Sequence, residues 1–355
     1  MPNEASRGSF YSSLVFKRRA AITVLVLLVL AASFVSLSIG SYSISVQQFF
    51  SALVDADAET VINRLVWGIR LPRVAASILA GAILGLSGCI LQALLKNPLA
   101  SPSTLGVSQG AAFGAACAII LFGAGQTFST GNEQVLITSR SVTALCAFIG
   151  ALLPVLLISV ISSMRQASSE SMVLSGVALG AFLSACTMLL QYFSSDMQVA
   201  ATLFWTFGDL GKGGWQEVRI LALLLTPALL WLIAKGWSLN ALQAGEEVAR
   251  SLGVHTSRLR VVGLLIISLL VAVTTAFLGI IAFVGLMAPH LVRPFAGTDQ
   301  RYLIPASTLC GALLLIAADC VSRVVIAPVI IPVGIITSFA GAPLFLWLLL
   351  RRRQQ

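Results

Sequence analysis

The chain has 355 residues, of which 58% are hydrophobic and only 10% charged, with a mean hydropathy of +0.97 and a net charge of +9. Soluble domains carry charge on about a quarter of their residues, so this composition excludes a soluble enzyme or nucleic-acid binder and points to a polytopic membrane protein. The apolar runs are about 20 residues long, enough to cross a hydrocarbon core, and continuous rather than alternating at period two, so the expected fold is an all-α bundle and not a barrel.

In chain order, spans are expected near 20–39, 71–95, 105–123, 141–163, 171–192, 216–236, 261–281, 283–296, 303–320 and 333–350, about ten in all with the eighth short. Lys17, Arg18 and Arg19 precede the first run, which is longer than the roughly 7–15 apolar residues of a signal peptide, so it reads as a retained span after a 1–19 N-terminal segment. Ser41 to Asn63 is long enough for an amphipathic surface helix, and Phe204 to Asp209 before Trp215 resembles an interfacial aromatic belt. Glycines recur at intervals of four at Gly81/Gly85, Gly106/Gly110/Gly114 and Gly176/Gly180, the spacing that lets helix backbones approach closely in lipid. No linker separates two domains, so residues 1–355 read as one domain.

Placing the N-terminus inside puts Arg7, Lys17, Arg18, Arg19, Lys96, Arg165, Lys235, Arg250, Arg258, Arg260, Arg293, Arg301, Arg351, Arg352 and Arg353 on the cytoplasmic side. Only Arg64, Arg70, Arg73, Arg140, Lys212, Arg219 and Arg323 fall outside, as the positive-inside rule requires, and an even number of spans returns the C-terminus to the cytoplasm. The net positive charge therefore reflects topology, and no nucleic-acid partner is expected.

A polar island, 238–260, interrupts the hydrocarbon. Gly245-Glu246-Glu247-Val248-Ala249-Arg250-Ser251-Leu252-Gly253 has acids first, a base near the end and a closing glycine, the charge order of a short capped helix. Too polar for lipid and too small for a domain, it reads as a handle gripped by a cytoplasmic partner.

There is no HExxH and no Walker lysine, and His255 and His290 are not spaced as a metal pair. No catalytic or metal-binding residue is therefore assigned. The cysteines Cys89, Cys117, Cys146, Cys186, Cys310 and Cys320 sit singly in or beside apolar runs and read as packing residues. Of the 13 acids, only Asp319 lies deep in an expected span, one helical turn from Arg323, its expected partner. Arg70-Leu71-Pro72-Arg73 opens the second span at the outer edge, where positive charge is disfavoured unless an acidic external partner requires it; Arg323 extends that basic surface.

Asn97-Pro98-Leu99-Ala100-Ser101-Pro102, followed by Leu105-Gly106-Val107-Ser108-Gln109-Gly110, indicates broken or re-entrant backbone, which lipid tolerates only beside protein or a water-filled cavity. Pro289, His290 and Arg293 in the short eighth span form a second break. Asn97, Pro98, Gln109, Gly110, Pro289, His290 and Arg293 are accordingly the expected path lining and gate.

These residues carry a family resemblance. Arg70 to Arg73, Asn97 to Pro102 with Leu105-Gly106 and Gly110-Ala111, Gly245-Glu246-Glu247 with Ser251-Leu252-Gly253, Gly279 to Leu286 with Pro289-His290 and Arg293, Ala318-Asp319 with Arg323, Pro332-Val333-Gly334 and Gly341-Ala342-Pro343 occur in the order of the FecCD-type permeases, the membrane subunits of ABC importers for iron–siderophores, haem and cobalamin. The resemblance covers roughly 60–350 and implies a type II ABC importer bundle like that of the cobalamin permease, in the inner membrane with both termini cytoplasmic. It implies a second permease copy, the homodimer preferred over a heterodimer, two cytoplasmic ATPases, and a periplasmic or lipid-anchored binding protein. ATP and magnesium belong to the ATPase chain, with no cofactor on this one. It implies ATPase coupling by Gly245, Glu246, Glu247, Arg250, Ser251, Leu252 and Gly253, and contacts of Arg70, Arg73 and Arg323 with glutamates of the binding protein. Where many members carry an acid before the Pro-Val-Gly element, this chain has Ile330-Ile331-Pro332. The other class weighed is an ion-coupled secondary transporter of a small solute, which needs acids in its spans and has only Asp319.

Overall fold

The computed structural model describes residues 4–39, 51–52, 60–124, 139–165 and 169–352. The helices are α1 (Glu4–Ser38), α2 (Val61–Leu94), α3 (Val107–Leu121), α4 (Arg140–Arg165), α5 (Ser169–Tyr192), α6 (Asp196–Thr206), α7 (Trp215–Ala234), α8 (Gly236–Ala244), α9 (Glu246–Ser251), α10 (Thr256–Leu278), α11 (Val284–Ala296), α12 (Gln300–Val324) and α13 (Val333–Arg352). Among the described residues the only β-type pairing is the isolated Phe207–Ile280 bridge. Among the described residues seven helices are long and apolar enough to cross a bilayer, α3 and the 333–346 part of α13 are shorter apolar helices, and α11 is a further short helix, consistent with about ten.

Three details depart from the sequence reading. Residues of the 1–19 segment from Glu4 onward already form the first part of α1. The aromatic belt is divided, Phe204 to Thr206 closing α6 and Phe207 to Asp209 lying beyond it; Ser195 caps the start of α6, its hydroxyl accepting from the Gln198 N–H while the Gln198 side chain accepts from the Ser195 N–H. The surface helix expected between Ser41 and Asn63 lies mostly outside the described residues.

Helix α2 is the spine. Pro72 has no N–H to give the preceding turn, and the helix widens into a π turn over Val66–Arg70 immediately before it. From there α2 is buried on nearly every side, against α12, α11, α10 and α7. Small residues permit this. An added Cβ at Gly81, Gly85 or Gly88 would overlap the backbone of Gly311, Ser307 or Gly285 respectively, so α2 meets α12 and α11 backbone to backbone. Gly110 and Gly114 do the same for α3 against Gly150 and Cys146 of α4. Gly106, grouped with them by spacing, is instead a left-handed residue that ends the Pro102–Leu105 turn before α3 begins.

At one end of the bundle three chain breaks meet. The N–H groups of Asp209, Ile280 and Gly334 donate to the carbonyls of Leu278, Thr206 and Gly208 at 2.8, 3.3 and 3.1 Å, so the segments after α6, after α10 and at the head of α13 satisfy one another without water. The Lys212 ammonium donates to the carbonyls of Trp205 and Phe207 beside them. The polar island lies at the opposite end.

Candidate functional site

The polar island folds as two short helices, α8 and α9, joined at Gly245, whose φ of 147° and ψ of 151° belong to a region open only to glycine. Helix α9 packs inward through Ala249 and is fixed to α10 by an ion pair between Glu246 and Arg260; Glu246 also lies 3.5 Å from Arg250, one turn on. The hydrogen bond from Arg260 holds the Glu246 carboxyl below the ordinary carboxylate range, with the nearby Lys96 and Arg250 charges adding to it. Glu247, Val248, Arg250, Ser251, Leu252 and Gly253 are exposed. Val248 and Leu252, four residues apart, present an apolar face rimmed by charge, which on a helix outside the membrane is the anatomy of a docking surface.

The arginines expected to form an open basic surface are buried instead. Arg73 directs Nε and Nη2 to Oδ1 of Asp319, both at 2.9 Å, and its Nη2 lies 3.9 Å from Asp209. Arg323 Nη2 stands 2.9 Å from the other Asp319 oxygen, outside hydrogen-bond alignment, and donates to the Ser36 hydroxyl; its Nη1 donates to the carbonyls of Ser36 and Ile39 at 3.0 and 2.7 Å. Arg70 donates to the Leu37 carbonyl at 2.7 Å. Two guanidinium groups thus satisfy the free carbonyls at the end of α1, while two share one fully buried carboxylate. Spacing within α12 revealed Asp319 with Arg323, but Arg73 joins from the far side of the α2–α12 contact, which sequence distance hides.

The expected path residues are not gathered into one lining. Asn97 forms a turn, its side-chain oxygen accepting from the Leu99 N–H at 2.9 Å, and Pro98 lies in the same turn. Gln109 packs beside Gly180 of α5, with its Oε1 buried and unpaired among the described residues. Gly110 is a packing residue at the α3–α4 crossing. Pro289 is buried within α11, His290 Nδ1 lies 2.9 Å from the Leu286 carbonyl, and Arg293 donates to Gln92 of α2 at 2.8 Å. The two broken segments do meet at one point, where Pro102 abuts Gly285 at the head of α11.

One cluster escaped the sequence reading. Asp299 caps the start of α12, and its carboxylate accepts from Arg301 and from Asn240 of α8 and lies 3.6 Å from Arg18 of α1. An Asp a few residues before an apolar run was the available signal.

A close-packed apolar bundle with broken helices, carrying a short exposed amphipathic segment at one end, is the build of a multi-pass transport permease. The FecCD transport family model matches residues 27–351, and the chain belongs to that family. It is 48% identical over 92% of its length, and 93% of the relative's, to a Methanocaldococcus jannaschii protein named as an ABC transporter permease. It is 34% identical to the hemin transport system permease protein HmuU of Yersinia pestis (95% of this chain, 97% of the relative) and 38% identical to the vitamin B12 import system permease protein BtuC of Salmonella typhi (92% and 93%). A solved structure described as an inward-facing conformation of a metal-chelate type ABC transporter superposes with a TM-score of 0.79 at 30% identity, covering 94% of this chain and 99% of the other. The chain is an ABC importer permease, a multi-pass protein of the inner membrane whose family implies ATPase partners and a paired permease.

Proposed function

We propose that this permease is one half of a homodimeric translocator that imports a metal chelate of the haem, corrinoid or siderophore kind, driven by ATP with magnesium on two separate ATPase subunits. The observation that carries the reading is the α8–Gly245–α9 segment, with Val248 and Leu252 turned outward and Glu246 tied back to Arg260. Each ATPase grips that face and moves it, and the bundle alternates access in response. Both termini lie in the cytoplasm with this segment, and a binding protein delivers the chelate from the other side.

The names of the hemin and vitamin B12 permeases and of the metal-chelate transporter support the cargo class. Asp319 speaks against ion-coupled transport, since Arg73 and Arg323 already hold it. The same commitment leads us to assign Arg70, Arg73 and Arg323 a role in holding α1, α2 and α12 together, in place of contact with the binding protein. The test is ATP-dependent uptake into proteoliposomes holding this chain with its ATPase and binding protein, offered hemin, cyanocobalamin and a ferric siderophore in turn. Uptake of one of them that needs both partners is expected; failure of an ATPase to co-purify overturns the proposal.

A further inference from the structure

Helices α8 and α9 are fastened to different parts of the bundle. Helix α9 is tied to α10 through Glu246 and Arg260. Helix α8 is tied to α12 through Asp299, and the density of bonds there exceeds what a helix cap needs. The Asn240 amide donates to Asp299 Oδ1 at 2.8 Å, while its carbonyl oxygen accepts from the Gln300 N–H at 2.8 Å, so one side chain of α8 completes the first turn of α12. Arg301 donates to both carboxylate oxygens, with Nη2 at 2.6 Å from Oδ2, and stacks 3.9 Å over the Trp237 ring of α8. Arg18 of α1 approaches from the third side, 3.6 Å from Oδ2 and over the Tyr302 ring.

The local backbone is shaped to allow this. A Cβ at Gly236 would stand 3.1 Å from Cγ of Arg301, and one at Gly297 would stand 2.9 Å from Nη2 of Arg18. From Asp299, α12 runs along α2 through the glycine crossing to Asp319, which holds Arg73 of α2. A shift of α8 therefore has a stiff, continuous route to the opposite end, whereas α9 can turn relative to α8 at Gly245.

We propose that Asp299 is a positioning residue for transport: it latches α8 to α12, so that displacement of the docking segment drives α12 and α2 instead of being absorbed in the loop. This rests on the coupling role proposed for α8 and α9. Without the latch, the ATPase still binds α9 and still turns over, but its stroke is lost.

The test uses the full complex in proteoliposomes, with hemin or cyanocobalamin as cargo, whichever the unaltered complex carries, and records uptake per ATP hydrolysed. In Asp299→Ala the ATPase is expected to co-purify and hydrolyse ATP while that ratio falls roughly tenfold, as the loss of a charge-assisted hydrogen bond allows. Exchanging the pair, Asn240→Asp with Asp299→Asn, rebuilds the link in reverse and is expected to recover much of the loss, which a merely structural role would not produce. An unchanged ratio in Asp299→Ala, or a loss that the exchanged pair does not reverse, overturns the latch and leaves the coupling reading standing. Failure of the unaltered complex to retain its ATPase is the separate outcome that sinks the coupling reading, and the latch with it. If neither cargo is carried, amide exchange decides: Asp299→Ala should speed exchange in α8 and the first turn of α12 but not in α9, and uniform or absent change overturns the latch.

Discussion

Helix α12 carries a carboxylate at each end, Asp299 and Asp319, about 30 Å apart along its axis, and the two do opposite work. Asp319 is fully buried and shared by two arginines, with Arg70 and Arg323 closing the end of α1 beside it. Asp299 keeps 15% of its side chain in contact with solvent and collects donors from three separate elements. A charge this deeply buried has no water to fall back on, so the Asp319 cluster is a condition of folding. Where the side chain is partly exposed water can replace a lost partner, so the Asp299 cluster can serve position without being indispensable to stability.

The largest expected effect breaks the buried end. Asp319→Ala leaves the buried Arg73 without its carboxylate and removes one partner of Arg323, and should cost roughly 3–5 kcal/mol, read as loss of folded protein from the membrane fraction and a lowered melting temperature in detergent. Asp299→Ala, by contrast, should cost only about 1–3 kcal/mol by the same measurement. If the two substitutions prove equally damaging, the contrast fails.

Next is the crossing that joins the two ends. Gly311→Leu forces a side chain into the Gly81 and Gly85 backbones, and overpacking of this kind should cost about 1–3 kcal/mol or more in thermal unfolding. Gly245→Ala comes below it. With φ at 147° the strain is of order 1–3 kcal/mol but confined to the α8–α9 joint, so amide exchange should quicken in 246–251 while the global melting temperature barely moves.

The smallest effect is in pH. Burial alone would raise the Asp299 carboxyl, but hydrogen bonds from Arg301 and Asn240 hold it down at about 2. A depressed folded pKa adds stability that is complete above the unfolded value near 3.8 and fades as pH falls through about 2. The melting-temperature gap between the unaltered protein and Asp299→Asn should therefore stay constant from pH 5 to 8, and narrow only below about pH 4.

Spans, glycine crossings and the short polar helix were legible because each depends on residues close in sequence. A run of apolar residues declares a helix, glycines at intervals of four declare a close-packed face, and Glu246, Glu247 and Arg250 order their charges along one short helix. Asp319 and Arg323 were paired correctly because one helical turn separates them. The burial of Arg70 and Arg73 was not legible, because a positive charge beside a span looks the same in sequence whether it faces outward or inward. The π turn before Pro72 and the contact of α2 with α12 decided the matter, placing Arg73 beside an acid 246 residues away.

Asp299 was overlooked for the same reason, since its worth lies in Asn240, Arg301 and Arg18 converging on it from three elements. Local chemistry in this chain determined which segments enter the membrane, where they break and which short helix stays outside. Tertiary packing alone decided which charges meet, because in lipid a buried ion must be answered by whichever helix the glycine surfaces bring alongside.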